Sequence, residues 1–321
     1  MIALRIPRIA AALLGVVLLG AGCTLAEVTT PEAEDVLVVE AILNASAPTQ
    51  RILLHRSLTE EGERGEPGAQ VSVFAPGGRE ISFAEVNPTA CLPGGEIQAP
   101  GEPGPLPGNS FSCYASPSDA AGFVVPGEGY DLEVLTRAGE RARARTRVPG
   151  AFALRQPSQD AARACSLPPD TPLPLVWTRA EGAWSYLAEL SITGLASALP
   201  AAAGSAIPDT VRLTGLSISE SDTTMVLPGD FGIFQRTEFD SSLLLRISRG
   251  LPEGVAARLV LAAVDRNYVN GVRGGVFNPS GRVRISSVRG NGVGVFGSLV
   301  PLTLLIDVRR EGSPYPPCLE G

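Results

Sequence analysis

From Val36 onward, hydrophobic and polar positions fall into short runs of five to nine residues separated by Gly, Pro, Asn and Asp. The first are VLVVEAIL (36–43) and RILLHRS (51–57), joined by a polar turn containing Pro48. QVSVFA (70–75), the turn Pro76-Gly77-Gly78 and REISFAEV (79–86) predict a hairpin, because two strand-like runs flank a glycine turn. FVVP (123–126), a turn around Gly127 to Gly129, and YDLEVLT (130–136) follow. The clearest pattern is RARARTRV (141–148). Arg141, Arg143, Arg145 and Arg147 share one face there, and Ala142, Ala144, Thr146 and Val148 the other. Period two with one charged face predicts an antiparallel strand solvated on one side. A solvated face explains the four arginines without an anion-binding stripe.

Two stretches break this texture. Residues 87–110 are dense in Gly and Pro and cannot form a central strand; they predict an exposed loop, which either carries recognition or only connects. Residues 150–174 contain Pro157, Pro168, Pro169, Pro172 and Pro174 and predict a domain boundary. Beyond it come LPLVWT, then WSYLAELSI, in which Trp184, Tyr186, Ala188, Leu190 and Ile192 alternate with Ser185, Leu187, Glu189 and Ser191. VRLTGLSIS, TTMVL, SLLLRIS, ARLVLAAV, RVRISSV and LTLLIDV complete the strand candidates. No run offers a ten-residue amphipathic helix. The fold class expected is all-β, with two antiparallel β-sandwiches of immunoglobulin-like or fibronectin III-like type. The expected division is an N-terminal sandwich at 36–150, a Pro-rich linker at 151–174 and a C-terminal fibronectin III-like sandwich at 175–321.

The first residues have a different pattern. Arg5 and Arg8 precede an apolar run from Ile9 to Leu19, and Gly20, Ala21 and Gly22 lead to Cys23. The run is about half the roughly 20 residues that span a bilayer, so it reads as an export signal. Small residues followed by cysteine resemble the lipobox of bacterial lipoproteins, although Gly20 stands where that motif usually has Leu. The resemblance implies cleavage after Gly22, a signal peptide at 1–22, diacylglyceryl on the Cys23 sulfur and a lipidated tether at 23–35. A plain signal peptide with an incidental cysteine is the alternative.

Composition narrows the function classes. Hydrophobic residues make up 44% and charged residues 18%, as in a globular chain rather than a disordered one. All 26 basic residues are arginine, yet the formal charge is −7, which argues against nucleic-acid binding. Besides Cys23 the chain has Cys91, Cys113, Cys165 and Cys318, none in a CxxC pair. An even number behind an export signal suggests disulfides with three possible connectivities. Cys91–Cys113 and Cys165–Cys318 are favoured because each pair then stays within one expected domain. The chain-entropy model assigns roughly 3 kcal/mol to the short loop and roughly 5 to the long one.

Candidate chemistry is sparse. Gly292-Val293-Gly294-Val295-Phe296-Gly297 matches GxGxxG, but a strand-like run with Pro301 follows where a dinucleotide fold needs a helix. A glycine-rich turn allowing two backbones to approach is the reading adopted. The single histidine, His55, lies on a strand candidate, and no GxSxG elbow accompanies it. Asp265, Asn267 and Asn270 in DRNYVNG fail the EF-hand spacing and read as a polar turn. Glu60, Glu61 and Glu63 read as a solvated loop. No cofactor, nucleotide or metal ligand set, and no catalytic residue, is assigned.

VLVVEAIL, GAQVSVFAPGGR and PGEGYDLEVLTRAGERARARTRVP, taken in order, resemble the first sandwich of a bacterial lipoprotein family, domain of unknown function 4249. LVWTRAEGAWSYLAELSI is similar to its second sandwich, and LAAVDRNYVNG (261–271) and VRGNGVGVFGS (288–298) to its C-terminal signature. The resemblance implies a transthyretin-like first sandwich, a fibronectin III-like second one and an outer-membrane lipoprotein accompanying TonB-dependent transporters, with no catalytic residues. The functional expectation is a non-enzymatic accessory lipoprotein that binds or scaffolds through loops and edges. A surface hydrolase acting on glycans or peptides through paired carboxylates, and a structural adhesin, are the alternatives.

Overall fold

The computed structural model describes residues 35–59, 62–91, 110–158, 161, 163–199, 207–217, 219–231, 241–273 and 285–319. The signal segment, Cys23, most of the tether, the core of the Gly/Pro loop (92–109) and the Glu60, Glu61 and Glu63 side chains lie outside them.

The first half forms a sandwich from β1 (Leu37–Asn44), β2 (Arg51–Thr59), β3 (Gly62–Gly65), β4 (Gln70–Ala75), β5 (Arg79–Val86), β6 (Ser112–Ala115), β7 (Gly129–Leu135) and β8 (Arg141–Arg147). The expected hairpin is present, with Ala75 opposite Arg79 across the Pro76–Gly78 turn. β1 buries Leu37, Val39, Ala41 and Leu43, every second residue, and β8 buries Ala142, Ala144 and Thr146 while its arginines face solvent. FVVP forms a turn instead of a strand: Tyr130 Oη donates to the Phe123 carbonyl (2.8 Å) and accepts from Val125 N–H (2.7 Å), which holds that loop without a sheet partner.

The second half contains β9 (Leu154–Gln156), β10 (Ala164–Leu167), β11 (Leu173–Trp177), β12 (Ser185–Thr193), β13 (Thr210–Leu216), β14 (Thr224–Leu227), β15 (Ala256–Val264), β16 (Val288–Gly290) and β17 (Gly292–Val308). β14, β11 and β9 make a three-stranded sheet whose Trp177 packs edge-on against Tyr186 of β12, with ring centroids 5.2 Å apart. Two sequence expectations change here. SLLLRIS is a helix, Ser241–Ser248, which buries Leu243 and Ile247, spaced i, i+4, and exposes Leu245. Residues 266–273 also form a helix, Arg266–Arg273, rather than a polar turn. It covers the outer face of the sheet, so Leu187, Ala262 and Val264 are buried there together with Tyr268, Val269 and Leu299. The alternation expected in WSYLAELSI is thereby lost at Ser185 and Leu187, which are buried as well.

The expected boundary at 151–174 does not divide the molecule. Residues 34–321 form one compact unit, and the supposed linker supplies β9 and β10. The physical reason is β17. Its first half pairs in parallel with β1, from Leu37↔Gly292 to Asn44↔Leu299. Its second half pairs antiparallel with β15, from Val264↔Leu299 to Ala256↔Asp307. β16 meanwhile pairs with β8, so both sandwiches share strands and one sheet path runs through them. Antiparallel pairs dominate, and a single buried hydrophobic cluster reaches from Leu37 to Cys318. The fold is all-β.

Both disulfides form in the favoured pairing. Cys91–Cys113 closes the base of the Gly/Pro loop. Cys165–Cys318 fastens the C-terminal residues to β10, where Cys318 N–H also donates to the Ser166 carbonyl at 2.8 Å. Each closes a loop that the unfolded chain would leave open, which is their stabilising effect in the entropic account.

Candidate functional site

The glycines of the GxGxxG run are explained by the strand they occupy. Gly294 has φ +127°, and a Cβ there would lie 2.1 Å from the Val39 carbonyl oxygen. A Cβ on Gly297 would lie 2.9 Å from Tyr268 N. The expected close approach of backbones is present, in a parallel strand pair rather than a turn, and the helix of a dinucleotide site does not follow: residues 292–308 are all strand.

Where β17 passes the start of the Arg266–Arg273 helix, buried polar groups join three elements. Asp265, 5% exposed, caps the helix: its Oδ1 accepts from Tyr268 N–H (2.9 Å) and from Ser298 N–H (3.0 Å). Its Oδ2 contacts Thr146 Oγ1 of β8 at 2.7 Å. Thr146 Oγ1 lies 3.0 Å from Ser298 Oγ, which donates to the Arg147 carbonyl at 3.1 Å. Asn267 Nδ2 donates to the carbonyls of Arg145 (2.8 Å) and Phe296 (2.9 Å). Burial pushes the Asp265 carboxyl above the ordinary carboxylate range, opposed by the bonds from Thr146, Tyr268 and Ser298. The runs 261–271 and 288–298 therefore meet in space and pin the second half to β8. Neither composition nor periodicity pointed to Asp265 as a cap; an Asp followed by a helix-forming run ending in glycine and arginine is the signal that was available.

Above this knot an open cleft of about 540 Å³ is lined by Phe74, Ala75 and Pro76, by Gly129, Asp131, Arg145, Thr146 and Arg147, and by Gly182, Asp265, Arg266 and Asn267. Asp131 forms a two-point ion pair with Arg145, at 2.7 and 3.1 Å. The Arg266 guanidinium sits 5.2 Å over the ring of Trp184, itself 40% exposed. Both carboxylates of the cleft thus already hold structural partners. This arrangement can receive a ligand, but it offers no free general base next to a nucleophile.

The other sequence candidates are dispersed. His55 is buried on β2, its Nε2 3.8 Å from Glu40 of β1, and it does not line the cleft. Asn270 lies further along the helix that Asp265 caps and that contains Asn267. Among the described residues no group of three or more His, Cys, Asp and Glu side chains is placed to hold a metal, and no helix is long and apolar enough to cross a membrane. Sequence reasoning missed a charged triad around one buried guanidinium: Arg56 of β2 pairs with the half-buried Glu66 (2.6 Å) and Glu140. Those two carboxylates raise the Arg56 pKa, and Arg56 in turn holds Glu140 below its usual range.

The solved structures similar to the chain share little sequence identity with it. A DUF4785 family protein from Legionella pneumophila is 13% identical, with 70% of this chain and 51% of that one covered and a TM-score of 0.22. The FN1–FN3 domains of chicken CNTN1 are 11% identical, covering 88% and 68%, with a TM-score of 0.17. The fibronectin(III)-like modules of Clostridium thermocellum CbhA are 8% identical, covering 87% and 98%, with a TM-score of 0.20. The chain spans about half the length of the first of these. No curated protein matches the sequence significantly. A family model, described only as a domain of unknown function, matches residues 25–164; the match stops before the 261–271 and 288–298 runs. The matched stretch, residues 25–164, contains the whole of β1 to β9 and is similar to the DUF4249 domain of unknown function.

Proposed function

We propose that this protein is a non-enzymatic outer-membrane lipoprotein, anchored through lipid on Cys23, that acts as a binding or scaffolding partner of a TonB-dependent transport system. The observation that carries the scaffolding part is the sharing of β17 between β1 and β15. A strand common to both sandwiches resists hinge motion, so loops and edges from the two halves are held in one fixed arrangement, as a docking platform requires. Use of the cleft carboxylates in the Asp131–Arg145 pair and the Asp265 cap favours binding over hydrolysis. The two disulfides agree with an oxidising compartment, and the leader that precedes Cys23 supplies the address.

The test has two arms. Mass spectrometry of the mature protein is expected to find Cys23 as the first residue, carrying diacylglycerol; an unmodified N-terminus in a soluble fraction contradicts the anchor. Affinity capture from envelope membranes in mild detergent is expected to recover a TonB-dependent transporter. Recovery of the protein alone, or release of sugars or amino acids in a hydrolase screen, contradicts the accessory role.

A further inference from the structure

We propose that the cleft between β7, β8 and the start of the Arg266–Arg273 helix is a binding site for a small ligand bearing a carboxylate or phosphate, held by Arg147 and Arg266. The argument begins with the ladder between β7 and β8. Along the outer face, Glu133 stands opposite Arg143 and Asp131 opposite Arg145, and each pair forms an ion pair, at 2.9 and 2.7 Å. One step further along the same face, the residue opposite Arg147 is Gly129. The ladder of counterions stops at the position where the cleft opens, and Gly129 and Arg147 both line it. Among the described residues the Arg147 guanidinium has no carboxylate partner, and it is exposed.

A second cation approaches from the other wall. Arg266 lies over Trp184, a contact that orients the guanidinium without neutralising it. The charges lining the cleft are Arg145, Arg147, Arg266, Asp131 and Asp265. Arg145 and Asp131 cancel each other, and the Asp265 oxygens are occupied by Thr146 and two backbone N–H groups. Among the described residues two guanidiniums remain without a counterion, in a concavity of a chain whose formal charge is −7. Guanidinium forks suit planar oxyanions, and a partly desolvated concavity strengthens such pairs relative to open solvent. Phe74 and Pro76 add an apolar wall for the rest of the ligand.

The proposal does not depend on lipid at Cys23 or on a transporter, so it is tested on the purified protein alone. Inorganic phosphate and citrate are titrated at low ionic strength by calorimetry, with Trp184 emission as a second readout, because an anion that engages Arg266 changes the charge above that ring. Binding of either probe supports the site, and the stronger of the two identifies the preferred oxyanion. The deciding variant is Gly129→Asp, which extends the ladder by one counterion. A Cβ at Gly129 meets only the Thr146 carbonyl oxygen, at 3.8 Å, so the substitution fits the fold. It is expected to abolish binding. Arg147→Gln and Arg266→Gln are each expected to weaken binding about ten-fold, the usual effect of one charge-assisted bond. Arg141→Gln changes the net charge equally on the same strand face but outside the cleft, and is expected to leave affinity unchanged. Failure of the wild type to bind either probe, or equal losses in the Arg141 and Arg147 variants, overturns the proposal.

Discussion

Replacing Asp265 with Asn and with Ala is expected to have opposite consequences, for a reason that follows from counting hydrogens. Three contacts run in series from Asp265 Oδ2 to Thr146 Oγ1 (2.7 Å), to Ser298 Oγ (3.0 Å) and to the Arg147 carbonyl (3.1 Å). With Asp265 ionised, two hydroxyl hydrogens serve three contacts, and one must go without a donor. With Asp265 protonated, each contact has its own hydrogen, in agreement with a pKa raised by burial. Asn reproduces the protonated arrangement: its Nδ2 donates to Thr146, and its Oδ1 still accepts from Tyr268 and Ser298 N–H. Ala removes the cap, at about 1 kcal/mol. It also strands the Ser298 N–H, at about 1–3 kcal/mol, whereas the Thr146 hydroxyl keeps Ser298 Oγ as its acceptor. Together these cost about 2–4 kcal/mol, or a fall in Tm on the order of 10 °C.

The sign of the pH dependence follows from the same shift. Because the folded pKa lies above the unfolded one, Asp265 contributes stability that is present below the unfolded value and lost as pH rises through the folded value. Asn cannot ionise, so its advantage over the wild type is expected to be absent below the ordinary carboxylate range, to grow as pH rises from there to the raised Asp265 value, and to stay constant above it. Urea denaturation from pH 4 to 8, followed by circular dichroism, measures the difference directly, and groups common to both proteins cancel. Asn as damaging as Ala, or a difference independent of pH, would refute the hydrogen count.

Other perturbations test separate parts of the account. Arg56→Ala leaves the part-exposed Glu66 and Glu140 without their shared cation and is expected to cost about 1–3 kcal/mol, measured by denaturant midpoint. In the wild type the lowered Glu140 pKa means that this part of the stability is present above the ordinary carboxylate range and disappears as pH falls through the folded value. Gly294→Ala places a methyl against the Val39 carbonyl in a positive-φ position and is expected to prevent β1–β17 pairing, read as loss of cooperative unfolding or of soluble expression. Tyr186→Phe leaves the Ala180 N–H without its acceptor, now at 2.8 Å, and is expected to cost about 1–3 kcal/mol with the near-ultraviolet spectrum otherwise retained.

Much of the fold was legible because its strands are amphipathic. β7 and β8 announce themselves by period two, β1 by its run of Val, Ile and Leu, and the Ala75–Arg79 hairpin by its glycine turn. The two disulfide pairings followed from keeping each pair local, and that reasoning succeeded even though the domain boundary on which it rested does not divide the molecule. What stayed hidden is non-local. Nothing within residues 292–299 says that their partner is β1, some 250 residues earlier, since parallel pairing leaves no hairpin signature. SLLLRIS misleads because a short apolar run fits either a buried strand or one face of a helix, and only its neighbours decide. The four arginines of β8 read alike in sequence, and only their cross-strand register separates Arg143 and Arg145, which have counterions, from Arg147, which faces Gly129.

The measurement that bears most directly on the central claim, that a shared strand makes both sandwiches one rigid platform, is native-state hydrogen exchange followed by mass spectrometry. Amides of β1 and β2 in the first half and of β12 and β15 in the second are expected to exchange through the same global opening, with equal protection and equal sensitivity to denaturant. Exchange of one half at a markedly lower free energy, with the other still protected, would contradict the account.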